Sequence, residues 1–195
     1  AHDLALMMLS FILRWRGWDV IFLGANVSLE RLDVTLRAIQ PRLVVSAAQT
    51  LPAAASLIDL ARVASSQSTP LAFGGGIFND IEGLAQHIPG FFMGRQVDTS
   101  PRMIELLLGE HPSPPAIEPL PYDYSTALGA FKDRQGLIVN DARFILRQVP
   151  IEPRHLEVAN TYFIQAVEAA LALGEIHYLD TSARWLDGLL LNYGV

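Results

Sequence analysis

The sequence predicts an α/β fold in which a doubly wound parallel sheet is followed by a small α-helical C-terminal region. Short apolar runs alternate with longer segments of helical periodicity over residues 1–109, and this order is typical of a parallel sheet with helices on both faces. The runs are continuously apolar, as in strands buried on both sides. Because a helix comes before any strand, we expect a flavodoxin-like unit whose first strand is missing.

Nine elements are predicted over these residues. In chain order they are helix 2–16, strand 19–23, helix 29–40, strand 43–47, helix 53–65, strand 70–73, helix 80–87, strand 91–93 and helix 101–108. The strands are short β-rich or apolar runs, and three of them end at or just before a glycine.

Each main helix combines an apolar stripe at helical spacing with a residue that starts or stops it. Gly17 stops the first helix. Ser28 is the predicted N-cap of the second helix, which ends at Pro41. Pro52 opens the third helix, and Gly109 closes the last one of this unit.

A proline-rich linker is predicted at 110–124, since proline at this density forbids helix and favours an extended spacer. Beyond it, in residues 125–195, apolar residues recur only at helical spacing. We expect three helices there, the first with a break near Gly136 and the third with Leu186, Leu189 and Leu190 in its stripe.

The second tail helix carries an apolar stripe of Leu156, Phe163, Val167 and Ala170. A short helix is marginal in water unless its apolar face is packed. The candidate partners are the helices of the first domain and the same tail of a second chain, and we favour self-association into a homo-oligomer.

Composition excludes several classes of function. A net charge of −6 and a pI of about 5.3 argue against binding of a phosphate backbone by this chain itself. Cysteine is absent, which rules out disulfides, thiolate zinc sites and cysteine nucleophiles and makes the cytoplasm the expected location. No membrane span is expected, because the apolar runs are too short. The chain opens on Ala1, from which we expect a piece of a longer protein.

Candidate ligand residues collect where the strands end, because ligands of open parallel sheets bind at the carboxyl edge. Four segments reach this edge, namely Gly24-Ala25-Asn26, Ser46 to Thr50, Gly74-Gly75-Gly76 and Gly94-Arg95-Gln96. His2 opens the first helix at the same edge and could bind a transition metal through its imidazole, although a lone histidine beside a chain terminus is more often simply solvated.

The triple glycine is the strongest local signal at this edge. Glycine lets a phosphate or sugar approach the backbone closely, although for an isolated glycine run we favour the interpretation as a tight strand-to-helix turn. The segment matches neither the dinucleotide fingerprint nor the P-loop, since the spacing and the Lys-Ser/Thr pair are absent. Ser46 could hydrogen-bond a ligand nitrogen or, alternatively, the local backbone. No catalytic residue is indicated.

The order of these motifs resembles that of the cobalamin-binding domain family. The string consists of His2-Asp3-Leu4-Ala5, Arg16-Gly17-Trp18-Asp19-Val20, Leu23-Gly24-Ala25-Asn26-Val27, Val45-Ser46, Phe73-Gly74-Gly75 and Met93-Gly94. The resemblance covers residues 1 to about 108 and implies a cobalamin cofactor, either adenosylcobalamin or methylcobalamin.

By this resemblance, His2 matches the lower axial ligand of cobalt, and Ser46 matches the serine that hydrogen-bonds the benzimidazole of the nucleotide tail. Gly74 and Gly75 match the pair beside which the tail threads. Ala5 stands where the family motif has glycine. The cofactor-binding set implied is His2, Ala5, Gly24, Asn26, Ser46, Thr50, Gly74, Gly75 and Gly94, with His2 as the metal ligand.

Within the family, the Arg16–Val20 and Leu23–Val27 strings look most like the MerR-type cobalamin-dependent transcriptional regulators. This implies a non-enzymatic sensory module that reaches DNA through a domain absent from this chain. The alternatives are a corrinoid carrier of a methyltransferase system and a ligand-free oligomerisation domain.

Overall fold

The computed structural model describes residues 4–24, 27–146, 153–180, 182–184 and 188. The chain divides into two compact units, Ala1–Glu118 and Pro119–Val195, which are described separately below. His2 and Asn26, two of the predicted ligand residues, lie outside the described residues, as do Leu186, Leu189 and Leu190 of the predicted third tail helix.

The first unit alternates helices and strands, as the sequence predicts. Its elements are α1 (Leu4–Trp15), α2 (Leu29–Ile39), β1 (Val44–Ala47), α3 (Leu51–Ser66), β2 (Leu71–Gly74), α4 (Ile77–Asp80), a 3-10 turn (Leu84–His87), β3 (Phe91–Phe92) and α5 (Ser100–Glu110). The three strands are parallel and lie in the order β1-β2-β3. The predicted α/β fold class is thus confirmed.

Helices cover both faces of this sheet. On one face Leu9 and Leu13 of α1 pack with Ile104 of α5 against Ala72 of β2 and, beside it, Val45 of β1. On the other face a separate cluster joins α2 and α3 to β1, through Leu32, Leu36, Ala64 and Val44. Neighbouring residues of β1 therefore point to opposite layers, as strand geometry requires.

Local capping explains where the second and third helices begin. The Ser28 hydroxyl accepts from the backbone N–H of Arg31 at 3.4 Å, which confirms the predicted N-cap of α2. The Thr50 hydroxyl caps α3 in the same way, by accepting from the N–H of Ala53 at 3.4 Å. Two orphan helix N–H groups are thereby satisfied.

The strand predicted at 19–23 is wrong, because these residues form no strand in the structure. In the 2-1-3-4-5 order of flavodoxin-like sheets, this segment reaches β1 only through one intervening strand. None of the described residues fills that position with a strand, so the segment has no described strand beside it to pair with. Ile21 and Leu23 are consequently 53% and 44% exposed.

Two helix predictions also need correction. The helix predicted at 80–87 is split into α4 and the 3-10 turn, and Gly83 between them adopts a φ of 80°. The break expected near Gly136 does not occur, since the first tail helix runs unbroken from Tyr122. That start also places three residues of the predicted linker, 122–124, within the helix.

The second unit is built on two helices, α6 (Tyr122–Leu146) and α7 (Pro153–Leu173), followed by a 3-10 turn at Ile176–Tyr178. The two helices pack together. Ion pairs join Lys132 to Glu168 and Arg143 to Glu157, so the helices run antiparallel.

The apolar stripe of α7 therefore has a packing partner that the sequence did not indicate. Val167 is half-buried and Ala170 is buried in a unit where α6 packs on α7. The sequence analysis considered the helices of the first domain and the tail of a second chain as partners, and did not consider α6. Leu156, the first residue of the predicted stripe, has no described side chain.

Burial gives Tyr178 of the second unit a pH-dependent role. Desolvation, and then the nearby Glu175 carboxylate, raise the pKa of the Tyr178 phenol above its ordinary value. The buried, protonated phenol stabilises the fold to its full extent at pH values below the pKa of tyrosine in the unfolded chain. This stabilisation is lost as the pH rises from there through the higher pKa of the folded state.

We therefore expect the thermal midpoint of the chain to fall as the pH is raised above about 10, measured by circular dichroism. Tyr178→Phe should flatten this alkaline decline, because phenylalanine cannot ionise. Tyr122→Phe is the matched control, since Tyr122 is 82% exposed. An equal flattening in both variants would contradict the assignment to Tyr178.

Candidate functional site

The loops at the carboxyl edge of the sheet are tied to one another. The side-chain oxygen Oε1 of Gln49, just after β1, accepts from the backbone N–H of Gly76 at 3.1 Å. Nδ2 of Asn79 in α4 donates to the carbonyl of Arg95, after β3, at 3.4 Å. These two bonds link the ends of all three strands into one surface, and neither Gln49 nor Asn79 was singled out from the sequence.

Gly75 sits where two of these loops come closest. Its φ is +124°, and a Cβ built on it would lie 1.9 Å from the carbonyl oxygen of Ala48. No side chain fits at that distance, and an L-residue is strained at that φ. The glycine is therefore required by the packing of the β2 loop against the end of β1, whatever else it contacts.

Gly74 differs from its neighbour. A Cβ built here would meet only Cε of Met93, at 3.6 Å, which is ordinary van der Waals contact. By strand alternation Gly74 shares the face of Ala72, which is the face covered by α1 and α5. No neighbouring protein atom therefore requires glycine at this position, and a ligand that passes close to the backbone could explain why glycine is present.

Ser46 lies on the other face of the sheet from Gly74. It pairs with Phe73 in the register, and by alternation it shares the face of Val44, beside α2 and α3. Its side chain is half-buried, and the hydroxyl makes no hydrogen bond to any described residue. It is thus available as a donor or acceptor, but a group that touches both Ser46 and Gly74 must span the edge of the sheet.

The remaining predicted ligand residues have visible structural roles or lie in loops. Thr50 is occupied as the N-cap of α3. Gly24 and Gly94 adopt φ values of 78° and 88°, as turns after predicted strands require. Ala5 lies four residues before the buried Leu9, on the side of α1 that faces the core, and is half-buried.

A cleft of about 350 Å³ lies at the opposite, amino edge of the sheet. It is lined by residues that precede β1 and β2, such as Arg42 and Thr69, and by His111 after α5. None of the residues predicted to bind a ligand lines this cleft. We place the candidate site at the carboxyl edge, where the predicted residues and the linked loops coincide.

The described residues also limit other chemistry. They contain no group of three or more His, Asp or Glu side chains placed to hold a metal ion. None of their helices is long and apolar enough to cross a bilayer.

Two positions at the carboxyl edge suit a bound nucleotide-bearing cofactor. Gly74 leaves room at the backbone, and the Ser46 hydroxyl is unengaged by the described protein. A search of curated proteins found no match to the chain. The family model of the B12 binding domain, however, matches residues 1–104, more than half of the chain. The chain therefore belongs to the B12-binding domain family.

Proposed function

We propose that the chain is the cobalamin-binding sensory module of a transcriptional regulator. The family membership supports binding of a cobalamin-type cofactor. The observation that carries the regulatory role is the pair of strings around Gly17 and Gly24, Arg-Gly-Trp-x-Val and Leu-Gly-x-Asn-Val, which resemble the MerR-type branch. Such a module contacts DNA through another domain, in agreement with the net charge of −6.

Four residues have distinct roles in this proposal. The His2 imidazole would supply a ligand to the cobalt of a bound cobalamin, and the Ser46 hydroxyl would hydrogen-bond the benzimidazole of its tail. Gly74 leaves the backbone accessible beside the tail, while Gly75 keeps the neighbouring loop closed against Ala48. When bound, the cofactor would supply a cobalt centre that can exchange a ligand, and the residues named here would only bind and orient it.

Titration of the chain with adenosylcobalamin and methylcobalamin, followed by visible absorption, tests the proposal. We expect saturable binding at one cofactor per chain and a spectrum that differs from that of the cofactor in water. A spectrum that stays identical to the unbound cofactor at saturating protein would contradict cobalamin binding. If cobalamin binds but changes neither the association state of the chain nor the DNA binding of a protein that contains it, the corrinoid carrier is favoured instead.

Ala5 offers a graded test of the tail channel. Its methyl occupies the position of the family's glycine, and one extra methyl in a packed site costs about 1–3 kcal/mol. Ala5→Gly should therefore tighten cobalamin binding, measured by calorimetric titration. Ala38→Gly on α2 is the control for the general cost of glycine in a helix, about 1 kcal/mol of stability. Unchanged affinity in Ala5→Gly would show that the tail does not pass this residue.

A further inference from the structure

Helix α1 is apolar on both of its faces, and only one face is buried. Leu9 and Leu13 point into the core. On the opposite side lies a second stripe of large exposed side chains, which we call the outer stripe: Leu4 (62% exposed), Met7 (52%), Met8 (53%), Phe11 (71%) and Trp15 (83%). At 100° per residue these five positions fall within about 100° of one another, on one side of the helix. An apolar surface of this kind marks an interaction site.

We propose that the outer stripe pairs with the outer stripe of a second copy of this chain, in an antiparallel, two-fold symmetric helix pair. The stripe is self-complementary in that arrangement. A two-fold axis midway along α1 sets Leu4 opposite Trp15 of the partner subunit, and Met8 opposite Phe11 of the partner subunit. Both pairs of positions satisfy the same register, so one axis brings four of the five side chains of the stripe onto one another, while Met7 faces Ile12 of the partner subunit at the margin.

The polar groups beside the stripe are already satisfied within the chain. The guanidinium of Arg14 donates to the carbonyl of Val20 at 2.6 Å, and that of Arg16 pairs with Glu105 at 3.0 Å. The hydroxyl of Ser10 donates to the carbonyl of Met7 at 2.8 Å. Burying the stripe in an interface therefore leaves no unpaired charge or hydroxyl on α1, and the free-energy cost of desolvating such a group is avoided.

The area is sufficient for a weak dimer. Phe11 and Trp15 together offer about 300 Å², and the half-exposed Leu4, Met7 and Met8 raise the stripe to about 500 Å² per protomer, or about 1,000 Å² in the pair. This is at the threshold of a specific interface. Phe11 and Trp15, the two aromatic residues, should dominate the binding energy.

Sedimentation equilibrium of the full chain over a range of concentrations tests the proposal. We expect a reversible dimer, and we expect Phe11→Glu to raise its dissociation constant about thirtyfold, the effect of a typical hot spot. Val34→Glu is the matched control, since Val34 on α2 is also apolar and 67% exposed but lies off the stripe, and it should leave the dimer intact. Circular dichroism of each variant verifies that the fold is retained.

The register is tested by a charge pair. Leu4→Glu and Trp15→Lys should each weaken the dimer, and the double variant should recover part of the loss. The two positions lie about 16 Å apart on one helix, so they can pair only across the two-fold axis. A wild-type chain that remains monomeric at every concentration would overturn the proposal. A dimer that Phe11→Glu leaves unchanged would do so as well, because the interface would then lie elsewhere.

Discussion

Replacing Gly75 with alanine should destabilise the first unit by about 3 kcal/mol or more. The added Cβ would lie 1.9 Å from the carbonyl oxygen of Ala48, and the residue would be held at a φ of +124°. Both effects act on backbone, so a change of side-chain rotamer cannot relieve them. The β2 loop must move away from the end of β1, and the bond between Gln49 and Gly76 is broken with it.

Chemical unfolding followed by circular dichroism measures this effect, and Gly74→Ala is the matched control. A Cβ at Gly74 meets one side-chain carbon at 3.6 Å, so the control should unfold within about 1 kcal/mol of the wild type. Gly74→Ala should nevertheless weaken cobalamin binding if the tail passes along the backbone there. Equal stability of the two variants would show that the loop contact at Gly75 does not constrain the fold.

The sequence predicts most of the first unit because its local signals agree with one another. Ser28, Pro41 and Gly17 each mark a helix end that the structure shows within one or two residues. The apolar runs that became β1, β2 and β3 are flanked by helices, as the fold class requires, although only the central strand β2 is fully buried and β1 and β3 are half-buried. Consistency between capping, periodicity and strand spacing made these elements predictable.

The segment 19–23 was mispredicted because a strand is not a local structure. Its composition is β-rich, yet a strand forms only where a neighbouring strand supplies backbone hydrogen bonds, and none of the described strands lies beside it. The partner of α7 was missed for a related reason. An apolar stripe reveals that a helix needs a partner, but it does not identify which helix packs on it.

The sequence predicts where the candidate site lies, but it does not predict the role of each residue in it. Topology alone places Ser46, Gly74 and Gly94 at one edge of the sheet. The sequence cannot show that Thr50 is engaged as a helix cap or that Gly75 is packed against Ala48. Both depend on distances between segments that lie far apart in the chain. Gln49 and Asn79 were missed because amide side chains that bridge loops have no motif.

Removal of the His2 imidazole should have the largest effect on cofactor binding. In the proposed function this imidazole is the one protein group bonded to cobalt, and alanine offers no donor in its place. Loss of a contact that only supports a metal ligand already weakens metal binding about 10–100-fold, so His2→Ala should weaken cobalamin binding by about 100-fold. The absorption of the bound cofactor should shift at the same time, because the lower ligand of cobalt has changed.

The control for this variant is His87→Ala, which removes an exposed imidazole from the 3-10 turn of the same unit. Both variants lose an imidazole, so a difference between them in cobalamin affinity or spectrum is due to the position of that imidazole in the chain. Visible absorption during titration with adenosylcobalamin measures both the affinity and the ligation state. If His2→Ala binds with the affinity and the spectrum of the wild type, His2 is not the lower ligand. Cobalamin would then be held by the sheet edge around Ser46 and Gly74 without a bond from the protein to cobalt.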